Sequence, residues 1–225
     1  GRKSGVLAGA TAALLLVCAR TDGAADAPEG LSLFAVPADA AGLRVQPHRL
    51  LDGRGAAHLH LDGVTVPEDA VVGPVGGALP LLQAAIARGE AALCAECAGA
   101  AEALLQLTVE HLQTRRQFGQ PLAKFQSLQH RVADMAIGLE QIKSMACVAA
   151  LASEAGTDAE RARPIAAAKA LTAQLSRRLA LDAIQMHGAM GMTDECRASH
   201  LAKRLITNGL LFGDASCHLR RLAAA

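Results

Sequence analysis

Aromatic side chains are almost missing: four phenylalanines stand among 225 residues, with no tryptophan and no tyrosine. Proteins that hold single-stranded nucleic acid stack bases on such rings, so the composition argues against that class of partner. Charge argues the same way. The 22 basic and 21 acidic residues leave a formal net charge of +1, far from the basic surface that a phosphate backbone requires. Without large rings, the core must be built from Ala, Leu, Val and Ile, which suits helices that approach closely. Hydrophobic residues make up 52% of the chain and charged ones 19%. That balance is globular, not disordered, and the length supports one or two domains.

Cysteine is present without a pattern that binds metal. Of the residues at 18, 94, 97, 147, 196 and 217, only Cys94 and Cys97 form a C-x-x-C, and no second pair completes a zinc site. Reduced, buried thiols in a cytoplasmic protein are the expectation, with no metal. A long apolar run is also lacking at the start. Arg2-Lys3 followed by G-V-L-A-G-A-T-A-A-L-L-L-V-C-A has the look of an export signal, yet it is too short to span a membrane and Arg20 closes it. It reads as two strands with a turn around Gly9, and no membrane partner is expected.

What is there divides in two. Up to residue 72 the chain holds short β runs bounded by Gly, Pro and Asp: S-G-V-L-A-G, A-A-L-L-L-V-C-A, L-S-L-F-A-V, G-L-R-V-Q-P-H and A-A-H-L-H-L-D-G-V-T-V-P. His58 and His60 alternate with leucines on one strand face, and solvent-facing histidines are expected there because no third metal ligand can be placed. From Val75 the spacing turns helical. Helices are expected near 77–114, 125–154 and 158–189, and a last one over about 194–223, bent near Gly209 to Gly213. Thr157 or Asp158 offers a cap, and Pro164 fits an early turn. Four long helices with short connections predict an antiparallel bundle.

Between the first two helices lies R-R-Q-F-G-Q-P-L-A-K-F-Q at 115–126. Gly119 and Pro121 break the apolar rhythm there. Two arginines beside a Phe and two glutamines suit an anion-plus-ring site, since a guanidinium fork pairs with phosphate oxygens. The same residues also suit a charge complement to a helix C-terminus with one buried Phe. Gly188 and Gly191, in Q-M-H-G-A-M-G-M at 185–192, allow either a close backbone approach to a ligand or a plain helix cap and turn.

Together these two segments resemble the acyl-CoA dehydrogenase family, the first its R-x-x-F-G segment and the second its Q-x-x-G-G-x-G segment. The runs A-R-T-D-G, G-L-S-L-F-A-V and L-D-G-V-T-V-P-E-D-A-V-V-G look like the second half of that family's middle β-domain. The resemblance implies an α+β fold: residues 1–72 as a partial β-sheet or barrel segment, the remnant of the middle β-domain, then 73–225 as the C-terminal antiparallel four-helix bundle. The family's N-terminal helical domain and the strands that hold the flavin ring are not in the sequence, so a truncated member is expected. Its open sheet edge then needs cover from a partner or the missing part.

The implied chemistry is FAD-dependent α,β-dehydrogenation of an acyl-CoA thioester in fatty acid metabolism. A carboxylate removes the α-proton while the flavin accepts the β-hydrogen. By the resemblance, Arg115 contacts the FAD pyrophosphate, Gln117 and Phe118 line the adenine side, and Gln126 approaches from the next helix. Gln185, Gly188 and Ala189 contact the FAD of a neighbouring subunit, Ala189 standing where a second glycine is usual. His187 is given a core or interface role. The family's base lies in a segment that corresponds to L-L-F-G-D-A at 210–215, so Phe212 or Gly213 occupies its place. An alternative base position on the first bundle helix falls at Gly89. Glu90, one residue and about 100° around the helix, and Asp214 are the carboxylates nearest to those two positions, with exposed helix or turn carboxylates as the plainer reading. This pattern is similar to the non-catalytic subunit of heteromeric members, which act on dicarboxylyl, aromatic or steroid side-chain thioesters. The implied partners are further copies or another acyl-CoA dehydrogenase subunit, an acyl-CoA substrate, and an electron-transfer flavoprotein as acceptor. A flavin-free scaffold that keeps the oligomer interface is the competing reading.

Overall fold

A computed structural model describes residues 1–224. It divides into two compact units, Gly1–Gln83 and Ala84–Ala225.

The first unit is built from antiparallel strands: β1 Arg2–Leu7, β2 Leu14–Arg20, β3 Leu31–Pro37, β4 Leu43–Arg49, β5 Gly55–Leu61 and β6 Val71–Val72. They form two sheets, ordered β1-β5-β4 and β2-β3-β6. The turn between β1 and β2 is where the sequence put it, with the Gly9 amide donating to Val6, but the two strands enter different sheets. Alternation in L-L-L-V explains why. Leu15 and Val17 are buried, whereas Leu14 and Leu16 are 56% and 64% exposed. The inner residues meet Val36, Ala57 and Leu59, so the two sheets share one core. The strand histidines depart from expectation. Both are half-buried, and His58 stacks on His48 with ring centroids 4.4 Å apart. The cause is the β4–β5 register, which sets Gln46 against His58 and His48 against Ala56, making the two rings diagonal neighbours.

Five helices follow: α1 Leu79–Thr114, α2 Gln126–Ser153, α3 Asp158–His187, α4 Arg197–Leu210 and α5 Ala215–Ala223. On α1 the buried positions Ala87, Ala91, Cys94, Cys97, Ala101, Leu104, Thr108 and Leu112 recur at three- and four-residue steps, the stripe a bundle helix buries. Of these, Ala91 and Cys94 pack with Ala146, Ala149 and Ala168, while Cys97, Ala101, Leu104 and Leu112 join Met135, Leu139 and Ile142 of α2, Leu179, Ala183 and Met186 of α3, and Ala202 and Leu205 of α4 in one core. Thr108 is tolerated there because its hydroxyl donates to the Leu104 carbonyl at 2.7 Å. Although α1 and α2 have the length and hydropathy of membrane spans, here they are neighbours in the bundle, tied by Lys143 to Glu102 at 2.7 Å. Cys94 and Cys97 are buried as expected. Burial lifts the Cys94 thiol to about 11, which leaves it unreactive.

Helix α3 opens on a full capping box: Glu160 N–H donates to the Thr157 hydroxyl, and the Thr157 amide to the Glu160 carboxylate. Thr157→Ala is expected to cost about 1 kcal/mol, read as a lower midpoint in urea with unchanged slope. No change would mean that α3 is fixed by packing alone. The final helical stretch is broken at Leu211–Asp214, where Phe212 and Gly213 take φ of +56° and +107°.

Candidate functional site

Arg115 directly follows α1, its amide donating to the His111 carbonyl at 2.8 Å. The chain then reverses in a two-residue hairpin, Arg116 opposite Pro121 and Gln117 opposite Gln120. Phe118 and Gly119 at its tip both have positive φ, +54° and +78°, the combination that a tight hairpin of this hand needs. Glycine adopts it freely; phenylalanine does so at a steric cost. Its ring is not the buried one that a purely structural reading requires, being 88% exposed and set edge-on to Phe125, centroids 5.9 Å apart. Arg115, Gln117 and Gln126 are also exposed, and Arg115 forms no ion pair among the described residues. The Gln117 amide donates to the Arg116 carbonyl at 2.7 Å, and an unpaired guanidinium, exposed glutamines and an open ring are a donor set that fits an anionic dinucleotide.

The second segment sits at the end of α3. Gly188 caps the helix with φ +64°, its amide bonding the Gln185 carbonyl, and Gln185, Gly188 and Ala189 are exposed. Gly191 is compelled by packing, because a Cβ there would lie 2.9 Å from the Cβ of His187. So the cap-and-turn reading holds for both glycines, while the face around Gly188 stays open, with nothing within 4 Å of an added Cβ. His187 is buried and its Nδ1 bonds the Ala183 carbonyl at 2.9 Å, which fixes the proton on Nδ1. Its ring stacks on His111, centroids 4.5 Å apart. That contact joins the end of α1, which carries Arg115, to the end of α3, which carries Gln185. Nothing in the sequence pattern paired these histidines. Burial, then His187 and Arg115, hold His111 below its ordinary pKa.

The carboxylates nominated by sequence have other tasks. Glu90 was expected on an exposed helix face, yet it is 1% exposed, because the turn of α1 that aims Gly89 outward aims its neighbour inward. Its Oε1 accepts from Arg221 Nη1 at 3.0 Å and lies 4.0 Å from His218 Nε2. Burial pushes its pKa up, opposed by Arg221. Arg221 Nη1 also lies 3.3 Å from His218 Nδ1. Guanidinium can only donate, so Nδ1 accepts and the His218 proton is on Nε2, which is buried without a hydrogen-bond partner among the described residues. Asp214 caps α5 by accepting the Cys217 amide at 2.7 Å. At Gly89 a Cβ would be 3.1 Å from Cε2 and Cζ of Phe212. The two positions nominated for a base are therefore in contact, and neither bears an acid.

Lys169 was missed from sequence, though a single lysine inside I-A-A-A-K-A-L is its signal. It is 1% exposed and its ammonium donates to the carbonyls of Asn208 at 2.9 Å and of Gly209 and Gly213 at 3.4 Å. Burial draws its pKa down. Among the described residues no group of His, Cys, Asp and Glu could hold a metal ion.

The description of the acyl-CoA dehydrogenase C-terminal domain matches residues 79–225. (R)-Benzylsuccinyl-CoA dehydrogenase of Thauera aromatica is 30% identical over 93% of this chain and 52% of its own. Among solved structures, the glutaryl-coenzyme A dehydrogenase glutaryl-CoA complex superposes with TM-score 0.87 at 26% identity, covering 99% of this chain and 57% of that one. The ChsE4-ChsE5 complex of Mycobacterium tuberculosis does so with TM-score 0.84 at 25% identity, covering 100% and 58%. The chain thus spans little more than half the length of these relatives. It belongs to the acyl-CoA dehydrogenase family, of which it carries the C-terminal helical domain.

Proposed function

We propose that this chain is part of an FAD-dependent acyl-CoA dehydrogenase, and that it brings cofactor contacts but no proton acceptor of its own. The observation that carries the second half is the contact of Phe212 with Gly89, together with the retention of Glu90 by Arg221. Arg115 would bind the pyrophosphate, Gln117, Phe118 and Gln126 the adenine side, and Gln185, Gly188 and Ala189 the FAD of an adjoining subunit. Bound FAD supplies the acceptor for the β-hydrogen. The base then comes from a partner subunit of the same family, and electrons leave to an electron-transfer flavoprotein. That one solved relative is a two-component complex supports a heteromeric assembly. The proposed setting is the cytoplasm, where the free cysteines stay reduced.

The test is the visible spectrum of the purified full chain with and without added FAD. Flavin bands that survive gel filtration are expected. Arg115→Ala removes a charged hydrogen bond worth roughly 1.5–3 kcal/mol and is expected to weaken FAD binding about tenfold to a hundredfold. A protein that stays colourless at every FAD ratio sinks this reading in favour of a flavin-free scaffold.

A further inference from the structure

The α4–α5 turn is held more firmly than a surface connection requires. Lys169, itself buried, grips it on both sides of Phe212, through the carbonyls of Asn208 and Gly209 before and Gly213 after. Asp214 caps the helix that follows, and Arg221 ties that helix to Glu90, next to Gly89 on α1. All of this keeps one non-glycine residue at φ +56°. Strain of that kind persists only where the surroundings impose it, and it gathers where a side chain must be presented. Here the side chain is a ring, 46% exposed, resting in the notch that Gly89 leaves by having no Cβ.

We propose that Phe212, seated on Gly89, is the residue that determines how this chain meets an acyl thioester: it offers an apolar wall to the acyl group in place of a proton acceptor. The proposal rests on the acyl-CoA reading above. A phenyl ring contributes contact area and no basic atom. The chain therefore holds the thioester without removing its α-proton. Lys169 acts one step back, as the positioning residue that sets the ring.

The consequence is a defined asymmetry between two substitutions. Glutamate at 212 replaces the ring and inherits its perch above Gly89, so its carboxylate can take the α-proton. The C–H electron pair passes into the thioester enolate, and a solvent deuteron returns to carbon. Gly89→Glu brings a Cβ to 3.1 Å from two carbons of the ring, so Phe212 crowds the new side chain off the acyl group.

The experiment uses the purified full chain without the partner subunit that brings the base. Octanoyl-CoA is titrated by calorimetry, and exchange of its α-protons in deuterium oxide is followed by NMR. The unaltered protein is expected to bind without exchange. Phe212→Ala weakens octanoyl-CoA about 5- to 10-fold, an aromatic contact's share, while Phe212→Leu, which keeps an apolar wall, stays within about twofold of the unaltered protein. Phe212→Glu gains exchange, Gly89→Glu does not, and Gly89→Glu combined with Phe212→Ala does. Exchange by the unaltered protein overturns the proposal, as does unchanged affinity in Phe212→Ala. Those results leave the acyl-CoA reading standing. Failure of every form to bind octanoyl-CoA overturns that reading, and this inference with it.

Discussion

Arg221→Leu is expected to lower the midpoint of thermal unfolding by about 6–12 °C at pH 7. Arg221 is the charge partner within hydrogen-bond distance of the Glu90 carboxylate. The acid has 1% of its side chain exposed, Arg221 43% of its own. Removing one member of a buried pair leaves the other charged and unsolvated, at a cost of roughly 3–5 kcal/mol. The lower end applies, since Arg221 is half in water before it is removed. The pH dependence separates this cause from simple loss of packing. Burial already places the folded pKa of Glu90 above its ordinary value of 4.5. Without Arg221 it rises further, so the folded state binds the proton first and the variant is penalised as pH climbs through that pKa. The deficit should shrink as the pH is brought down toward 4.5 and reach its full size near neutrality. A deficit of equal size at both ends would mean that Arg221 contributes through its aliphatic stem, not through its charge.

The family was legible because its signals are local. Gly119 and Pro121 interrupt two apolar rhythms, and the helices on either side end within two residues of where spacing put them. The break in the last helix was visible in Gly209 and Gly213 for the same reason. What spacing could not supply is which way one turn of a helix faces and what it meets. Glu90 looked like a surface acid because neighbouring residues say nothing of Arg221, 131 positions away. Lys169 drew no reading from its spacing, and only the packed bundle shows three carbonyls around its ammonium. Phe118 presented the opposite problem. Spacing left a buried ring and an open, ligand-lining ring as alternatives, and the hairpin, which needs positive φ at its tip, turns the ring out to water. Each correction comes from a contact made between segments remote in sequence, at the place where strain and buried charge collect. Those are the sites where local rules are expected to fail.

His218 carries the second large effect, in the opposite pH sense. It is fully buried, and burial, with the nearby charges of Lys169 and Arg221, draws its pKa from 6.5 to about 4. The unfolded chain therefore takes up a proton near pH 6.5, and the folded chain resists until about pH 4. A neutral His218 thus supports the fold above 6.5, and that support drains away as the pH falls from 6.5 to about 4. At 1.36 kcal/mol per pH unit, the full loss is on the order of 3 kcal/mol. Glu90 works against this, since its folded pKa is raised and its protonation relieves a buried charge. The fall in stability between pH 6.5 and 4.5 is therefore expected to be smaller than His218 alone would give. Unfolding in urea at about half-unit steps from roughly pH 7.5 to 4.5 gives the curve. His218→Gln keeps a polar side chain near Glu90 and Arg221 but cannot titrate, so its curve should lose that slope whatever its stability at pH 7. An identical slope in the variant would place the acid sensitivity elsewhere, with the stacked pair His111 and His187 next to be tested. A flat variant would identify the α1–α5 contact as the point at which acid loosens the bundle, and with it the turn that presents Phe212.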